Sequence, residues 1–234
     1  LSWKETKFKY QGIDYQSSGS LSDFASPGIE LKLSSRDLSL AAAFNLAAKQ
    51  IKVSQLKGKY LDSAFLLEGN IDNADTAKPR LDLSGKINFA LEDLSKILNK
   101  QYPAIKAMRP SGHLDTQFSL NGDISDFKNC VIRARLSSND FSLSGLHAQD
   151  LSLDYLQEQR SVKISSLRIA FYDGVIEGSG SINLDTVNLP YHLEMQANGI
   201  KLEKLKMDTL SRNKDISGTL QAEVKLSGYS NDLD

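Results

Sequence analysis

Apolar and polar residues alternate with a period of two along most of the chain, and that pattern leaves few folds open. The run from Val162 to Leu184 shows it best. Val162 and Ile164 are followed by Leu167, Ile169 and Phe171, then Asp173-Gly174, then a return segment carrying Ile182 and Leu184. Successive side chains of a strand point to opposite faces, so this spacing gives a hairpin with one apolar face. Asp173-Gly174 is expected to supply the positive φ angles of a type I′ turn. The parity change between Ile164 and Leu167, at Ser165-Ser166, is expected to be a β-bulge. Ile29-Leu31-Leu33, Leu81-Leu83, Leu114 to Leu120, Ile132 to Leu136 and Leu220-Val224-Leu226 read as further strands.

The alternation is itself repeated. Gly112-His113-Leu114 through Leu120-Asn121-Gly122 recurs as Gly218-Thr219-Leu220 through Leu226-Ser227-Gly228, an offset of 106 residues. Ile51-Lys52-Val53-Ser54-Gln55-Leu56, with Gly69 and Ile71, recurs as Val162-Lys163-Ile164-Ser165-Ser166-Leu167, with Gly180 and Ile182, at an offset of 111. The chain therefore reads as one copy over 1–111, a second over 112–217, and the opening hairpin of a third over 218–234. Units of this kind stack edge to edge instead of closing on themselves. A short helix is expected where Leu91, Leu94, Ile97 and Leu98 share a stripe, and again at Leu202, Leu205 and Leu210, covering one end of the sheet. Ala41 to Ala48 has helical composition, but the matching stretch Leu151-Ser152-Leu153-Asp154-Tyr155 alternates, which favours a strand.

Composition excludes several functions. Of 234 residues, 40% are hydrophobic and 24% charged, enough for a folded core. Lys and Arg number 28 against 29 Asp and Glu, with no local cluster to neutralise successive phosphates, so a nucleic-acid partner is not expected. The longest apolar stretch, around Leu40 to Ala48, is broken by Asn45 and falls short of the ~20 residues that cross a bilayer. A signal or anchor is expected only outside this chain, which begins at Leu1 and reads as a piece of a longer protein. The single Cys130 rules out an internal disulfide without choosing a compartment.

Residues that could carry chemistry have plainer readings. His113, His147 and His192 stand on separate segments without i, i+4 partners, so neither a metal nor another cofactor is expected. Cys130 reads as a small half-buried hydrophobe. Gly-x-Ser-x-Gly, P-loop and His-Glu-x-x-His runs are absent from the sequence, and its carboxylates alternate on strands, where they form a solvated face. No catalytic residue is assigned, and the chain is not expected to be an enzyme.

The run Phe171-Tyr172-Asp173-Gly174-Val175-Ile176-Glu177-Gly178-Ser179-Gly180-Ser181-Ile182-Asn183-Leu184 resembles the signature hairpin of the AsmA-like family. Asn198-Gly199-Ile200-Lys201-Leu202-Glu203-Lys204-Leu205, followed by Ser217-Gly218-Thr219-Leu220, is similar to that family's leucine-spaced helix leading into a Gly-flanked hairpin. The first copy fits more loosely, with Asp62-Ser63 in place of Asp-Gly and only Gly69 of the paired glycines. The resemblance implies periplasmic proteins of diderm bacteria, anchored in the inner membrane, whose repeats form an elongated, U-shaped antiparallel β groove. It also implies a part in moving phospholipid towards the outer membrane.

Alternation in a sheet that never closes leaves an apolar face as a groove, and acyl chains require only such a surface, at about 0.8 kcal/mol per buried CH₂. The expected lining is Ile51, Val53, Leu56, Val162, Ile164, Leu167, Ile169, Phe171, Ile182 and Leu184. Expected partners are phospholipid or another acyl lipid, membrane proteins at either end of the parent chain, and a second copy through exposed sheet edges. The alternative is a structural or protein-interaction scaffold assisting outer-membrane protein assembly, its apolar face closed between two sheets. A carbohydrate-active solenoid would need paired carboxylates or an aromatic platform, and neither is evident.

Overall fold

The computed structural model describes residues 1–98, 107–208 and 215–229. Its strands are β1 (Ser2–Tyr10), β2 (Ile13–Ser22), β3 (Gly28–Ser34), β4 (Leu38–Ala47), β5 (Gln50–Tyr60), β6 (Ser63–Asp72), β7 (Arg80–Ala90), β8 (Ser111–Asp123), β9 (Val131–Leu143), β10 (Leu146–Glu158), β11 (Ser161–Phe171), β12 (Gly174–Asn183), β13 (Pro190–Lys201) and β14 (Thr219–Tyr229). Helix α1 spans Leu91–Leu98 and α2 spans Leu202–Asp208. The strands follow one another in chain order in a 14-stranded sheet that is not closed into a barrel. Two compact units are present, one of Leu1–Phe89 with Gln117–Val131, the other of Ala90–Thr116 with Ile132–Asp234.

Tight turns hold the registers. In the first unit Tyr10 pairs with Ile13, Ala47 with Gln50 and Tyr60 with Ser63; in the second Leu143 pairs with Leu146, Glu158 with Ser161 and Phe171 with Gly174. Each pair encloses two residues, and positive φ at Gln11-Gly12, Ser144-Gly145, Gln159-Arg160 and Tyr172-Asp173 suits the twist of the strands they join. The turn expected at Asp173-Gly174 is thus one residue earlier. Gly174 is the first residue of β12, where an added Cβ would lie 2.5 Å from the Asn198 carbonyl oxygen, so the glycine serves the close approach of β13.

The bulge expected between Ile164 and Leu167 is present: Ile164 faces Gly180, but Leu167 faces Gly178. It recurs 111 residues earlier, where Val53 faces Gly69 and Leu56 faces Leu67. Ala41 to Ala47 form strand, since pairing of β4 with both β3 and β5 outweighs alanine's helical preference.

The two helices lead into strands in the same way. Gly112 N–H donates to Glu92 Oε1 at 3.2 Å, and Gly218 N–H to Glu203 Oε1 at 2.8 Å. Backbone N–H groups of Glu203 itself and of Gly218 hold the Glu203 carboxyl below its ordinary range. The repeated Leu-Glu and Gly therefore mark a helix-to-strand clasp. Leu91, Leu94, Leu202 and Leu205 are half-buried as the stripe requires, whereas Ile97 is exposed. The Leu98 side chain, Leu210 and residues 230–234 of the third copy lie outside the described residues. The fully buried side chain of α1 is Asp93, whose carboxylate stands 2.9 Å from Lys96 Nζ.

Polar contacts fasten α2 to the tip of the β11–β12 hairpin. Tyr172 O–H donates to Asp208 Oδ2 at 2.6 Å and accepts from His147 N–H at 3.1 Å; Lys204 Nζ lies 2.6 Å from Asp173 Oδ1. Burial, reinforced by the Asp208 carboxylate, pushes the Tyr172 phenol up to about 12. Buried Ala148 and Ile200 belong to the same unit, on strands that α2 contacts.

Two predictions follow from this geometry. Gly69 has φ +140 and no room for a Cβ, which would land on the Asp82 carbonyl oxygen, so Gly69→Ala should cost on the order of 2–4 kcal/mol in urea unfolding. A raised tyrosine pKa contributes stability below the unfolded value of about 10, lost as pH rises through the folded one. Chemical unfolding should show wild-type stability falling between about pH 10 and 12 more steeply than that of Tyr172→Phe, which itself should lose about 1–2 kcal/mol at neutral pH.

Candidate functional site: the apolar face of the sheet

Register assigns the side chains of the second unit to two faces, because directly opposed residues share one. Leu136, Leu153, Leu167, Gly178, Met195 and Val224 form one row across β9 to β14. Ala134, Tyr155, Ile164, Gly180, Leu193 and Leu226 form the next. A third contains Ile132, Gln157, Val162, Ile182, Tyr191 and Gly228, and a shorter fourth contains Ile169, Ile176, Ala197 and Ala222. Six strands at ~4.8 Å spacing make this apolar face about 24 Å wide.

Most of its side chains are half-buried over β9 to β13, with Ile182 exposed at 39%, and exposure rises towards β14, reaching 43% at Val224 and 48% at Leu226. Polar side chains interrupt it at Tyr155 and at the buried Gln157, the Tyr155 hydroxyl donating to Gln157 Oε1 at 3.2 Å. Burial pushes the Tyr155 phenol above its ordinary value. Glycines admit larger neighbours: an added Cβ at Gly178 would lie 3.2 Å from Met195 Cγ, and one at Gly180 3.4 Å from Leu193 Cδ1.

The opposite face carries charged side chains, several of them paired. Arg135 faces Asp154 and meets it at 2.9 Å; Arg168 faces and bonds Glu177; Lys225 lies 2.9 Å from Glu223; His192 Nε2 lies 3.3 Å from Glu194. The two cross-strand pairs, Arg135–Asp154 and Arg168–Glu177, are worth roughly 0.2–1 kcal/mol each.

The first unit has the same division. Leu31, Ala42, Leu56, Leu67 and Gly85 share a row, as do Phe44, Val53, Gly69 and Leu83, and Leu46, Ile51, Ile71 and Leu81. Large side chains cover its glycines: Trp3 lies over Gly19, its indole N–H donating to Ser17 Oγ at 3.1 Å, and the Phe65 ring would meet a Cβ on Gly58 at 2.7 Å.

Of the expected lining residues, Ile51, Val53 and Leu56 lie on β5 of the first unit. Val162, Ile164, Leu167, Ile169 and Phe171 on β11 and Ile182 on β12 share one face of the second, with Leu184 just beyond the end of β12. Sequence spacing did not place β10, β13 and β14 on that face; their membership emerges only from register. Cys130 is buried, its thiol donating to the Asp123 carbonyl at 3.3 Å, and burial together with Asp123 and Asp126 pushes its pKa up. Among the described residues no cluster of three or more His, Cys, Asp or Glu could hold a metal ion, and no helix is long and apolar enough to cross a membrane.

No curated protein and no solved structure matches the chain. The model of the AsmA family matches residues 22–234. That family is associated with the bacterial envelope. With strands β3 to β14 and both helices inside the matched span, the chain belongs to the AsmA family.

Proposed function

We propose that the protein is a non-enzymatic segment of a periplasmic envelope protein, anchored in the inner membrane through sequence outside this chain, whose apolar sheet face binds or conducts phospholipid between the two membranes. The observation that carries the proposal is the segregation of side chains: four adjacent rows present mostly aliphatic side chains and glycine, broken by Tyr155, Gln157 and Tyr191, while the charged side chains stand on the other face. Acyl chains ask for continuous apolar area, and a chain of about 16 methylenes transferred to such a surface gains on the order of 10 kcal/mol before ordering costs. Exposed apolar side chains at Ile182, Val224 and Leu226 support the reading, because contiguous exposed apolar surface marks a binding site.

Native mass spectrometry of the purified protein, with organic extraction, tests this. Phospholipid should co-purify, and Ile182→Asp combined with Val224→Asp should abolish it with an unchanged circular dichroism spectrum, since both side chains are exposed. A protein that carries no lipid and takes none up from added phospholipid would overturn the proposal and favour a scaffold for outer-membrane protein assembly.

A further inference from the structure

The charged faces of the two units differ. In the first unit, Ser18, Lys32, Ala41, Lys57, Leu66 and Lys86 lie directly opposite one another across β2 to β7. The adjacent row runs Lys7, Gln16, Ser34, Ser39, Lys59, Ala64 and Asn88. These two rows hold five lysines and no carboxylate. Glu30 and Glu68 stand on the row beyond, with Asp72 and Asp82 further along the strands and Asp14 beside Lys9. Lys59 meets Asp62 of the turn at 3.8 Å, whereas among the described residues the side chains of Lys7, Lys32, Lys57 and Lys86 make no ion pair or hydrogen bond. All four are exposed, and Leu66 between Lys57 and Lys86 is 42% exposed.

We infer that this lysine-rich face docks on an anionic phospholipid headgroup surface. Lys32, Lys57 and Lys86 sit on every second strand, so their stems emerge roughly 10 Å apart, and each flexible stem carries a point charge that reaches a phosphate layer without fixed geometry. Recognition of carboxylates on an acidic protein favours the planar fork of arginine, and these two rows contain none. Leu66, between Lys57 and Lys86 and two residues along β6 from the small side chain of Ala64, offers an apolar contact at the centre, as interfacial surfaces do. The second unit lacks this character because its arginines are matched by carboxylates across the strands. Within the first unit the lysine rows lie on the face opposite that unit's own apolar rows, so docking does not require a bound acyl chain.

The test is co-sedimentation of the full chain with phosphatidylcholine vesicles and with vesicles of phosphatidylcholine mixed with phosphatidylglycerol. Binding should require phosphatidylglycerol and weaken with added salt. Lys32→Gln/Lys57→Gln/Lys86→Gln should weaken it on the order of a hundredfold. The charge-matched control Lys49→Gln/Lys78→Gln/Lys163→Gln should weaken it by far less, with both variants checked by circular dichroism. Equal binding to both vesicle types, equal loss in the two triple variants, or no vesicle binding by a folded protein, the result expected for an acidic protein partner, would overturn it. Ile182→Asp/Val224→Asp, which removes carried lipid, should keep this binding, so the two readings fail separately.

Discussion

A single-layer antiparallel sheet satisfies its backbone hydrogen bonds through its ladders and leaves the fate of its faces to the side chains. That constraint governs everything else in this protein. Because successive residues alternate between faces, a period-two sequence puts every apolar side chain on one side, and strand after strand adds to the same surface. Within each unit the largest contribution to that surface comes from cross-strand neighbours. This explains why most aliphatic residues of that surface are half-buried and why most buried positions are small or polar, such as Ala42, Cys130, Ala148 and Asp93, with Val53 and Ile200 the larger exceptions among the described residues.

Register must then be held within the sheet itself. Two-residue turns and a recurring bulge do this, and the bulge matters most. At Val53/Leu56 and again at Ile164/Leu167 it shifts the pairing so that Leu56 and Leu167 return to the apolar face, against Leu67 and Gly178. Helices α1 and α2 fix where the next hairpin begins, through a carboxylate clasping the N–H of a glycine with positive φ, at Gly112 and Gly218. The repeat seen in the sequence is thus a repeat of positions where a backbone needs special help.

Much of this was legible in the sequence because period, turn and bulge are local properties. Many of the strands, the bulge at Ser165-Ser166 and the strand character of Ala41 to Ala47 follow from spacing and internal comparison, whereas β1, β2, β6 and β13 carry weaker alternation and are not marked by it. The turn at Tyr172-Asp173 was misread by one residue, since glycine is the usual sign of positive φ and here Gly174 answers a steric demand from β13. Asp93 and the Tyr172–Asp208 contact were invisible, as both depend on how a helix sits against strand ends. The lysine rows were hidden for a related reason: Lys32, Lys57 and Lys86 are 25 and 29 residues apart in sequence and become neighbours in a row only through register. Absence of a local basic cluster therefore said little about the surface.

The account rests on the two faces having different occupants, and adjacent residues on one strand report on each face separately. A photo-crosslinking amino acid placed at Leu167, on the apolar face, and in a second protein at Arg168, on the charged face, can be irradiated in protein purified with its carried lipid and read by mass spectrometry. The account predicts phospholipid adducts at position 167 and none at 168. Adducts at both positions in equal yield, or at 168 alone, would contradict it.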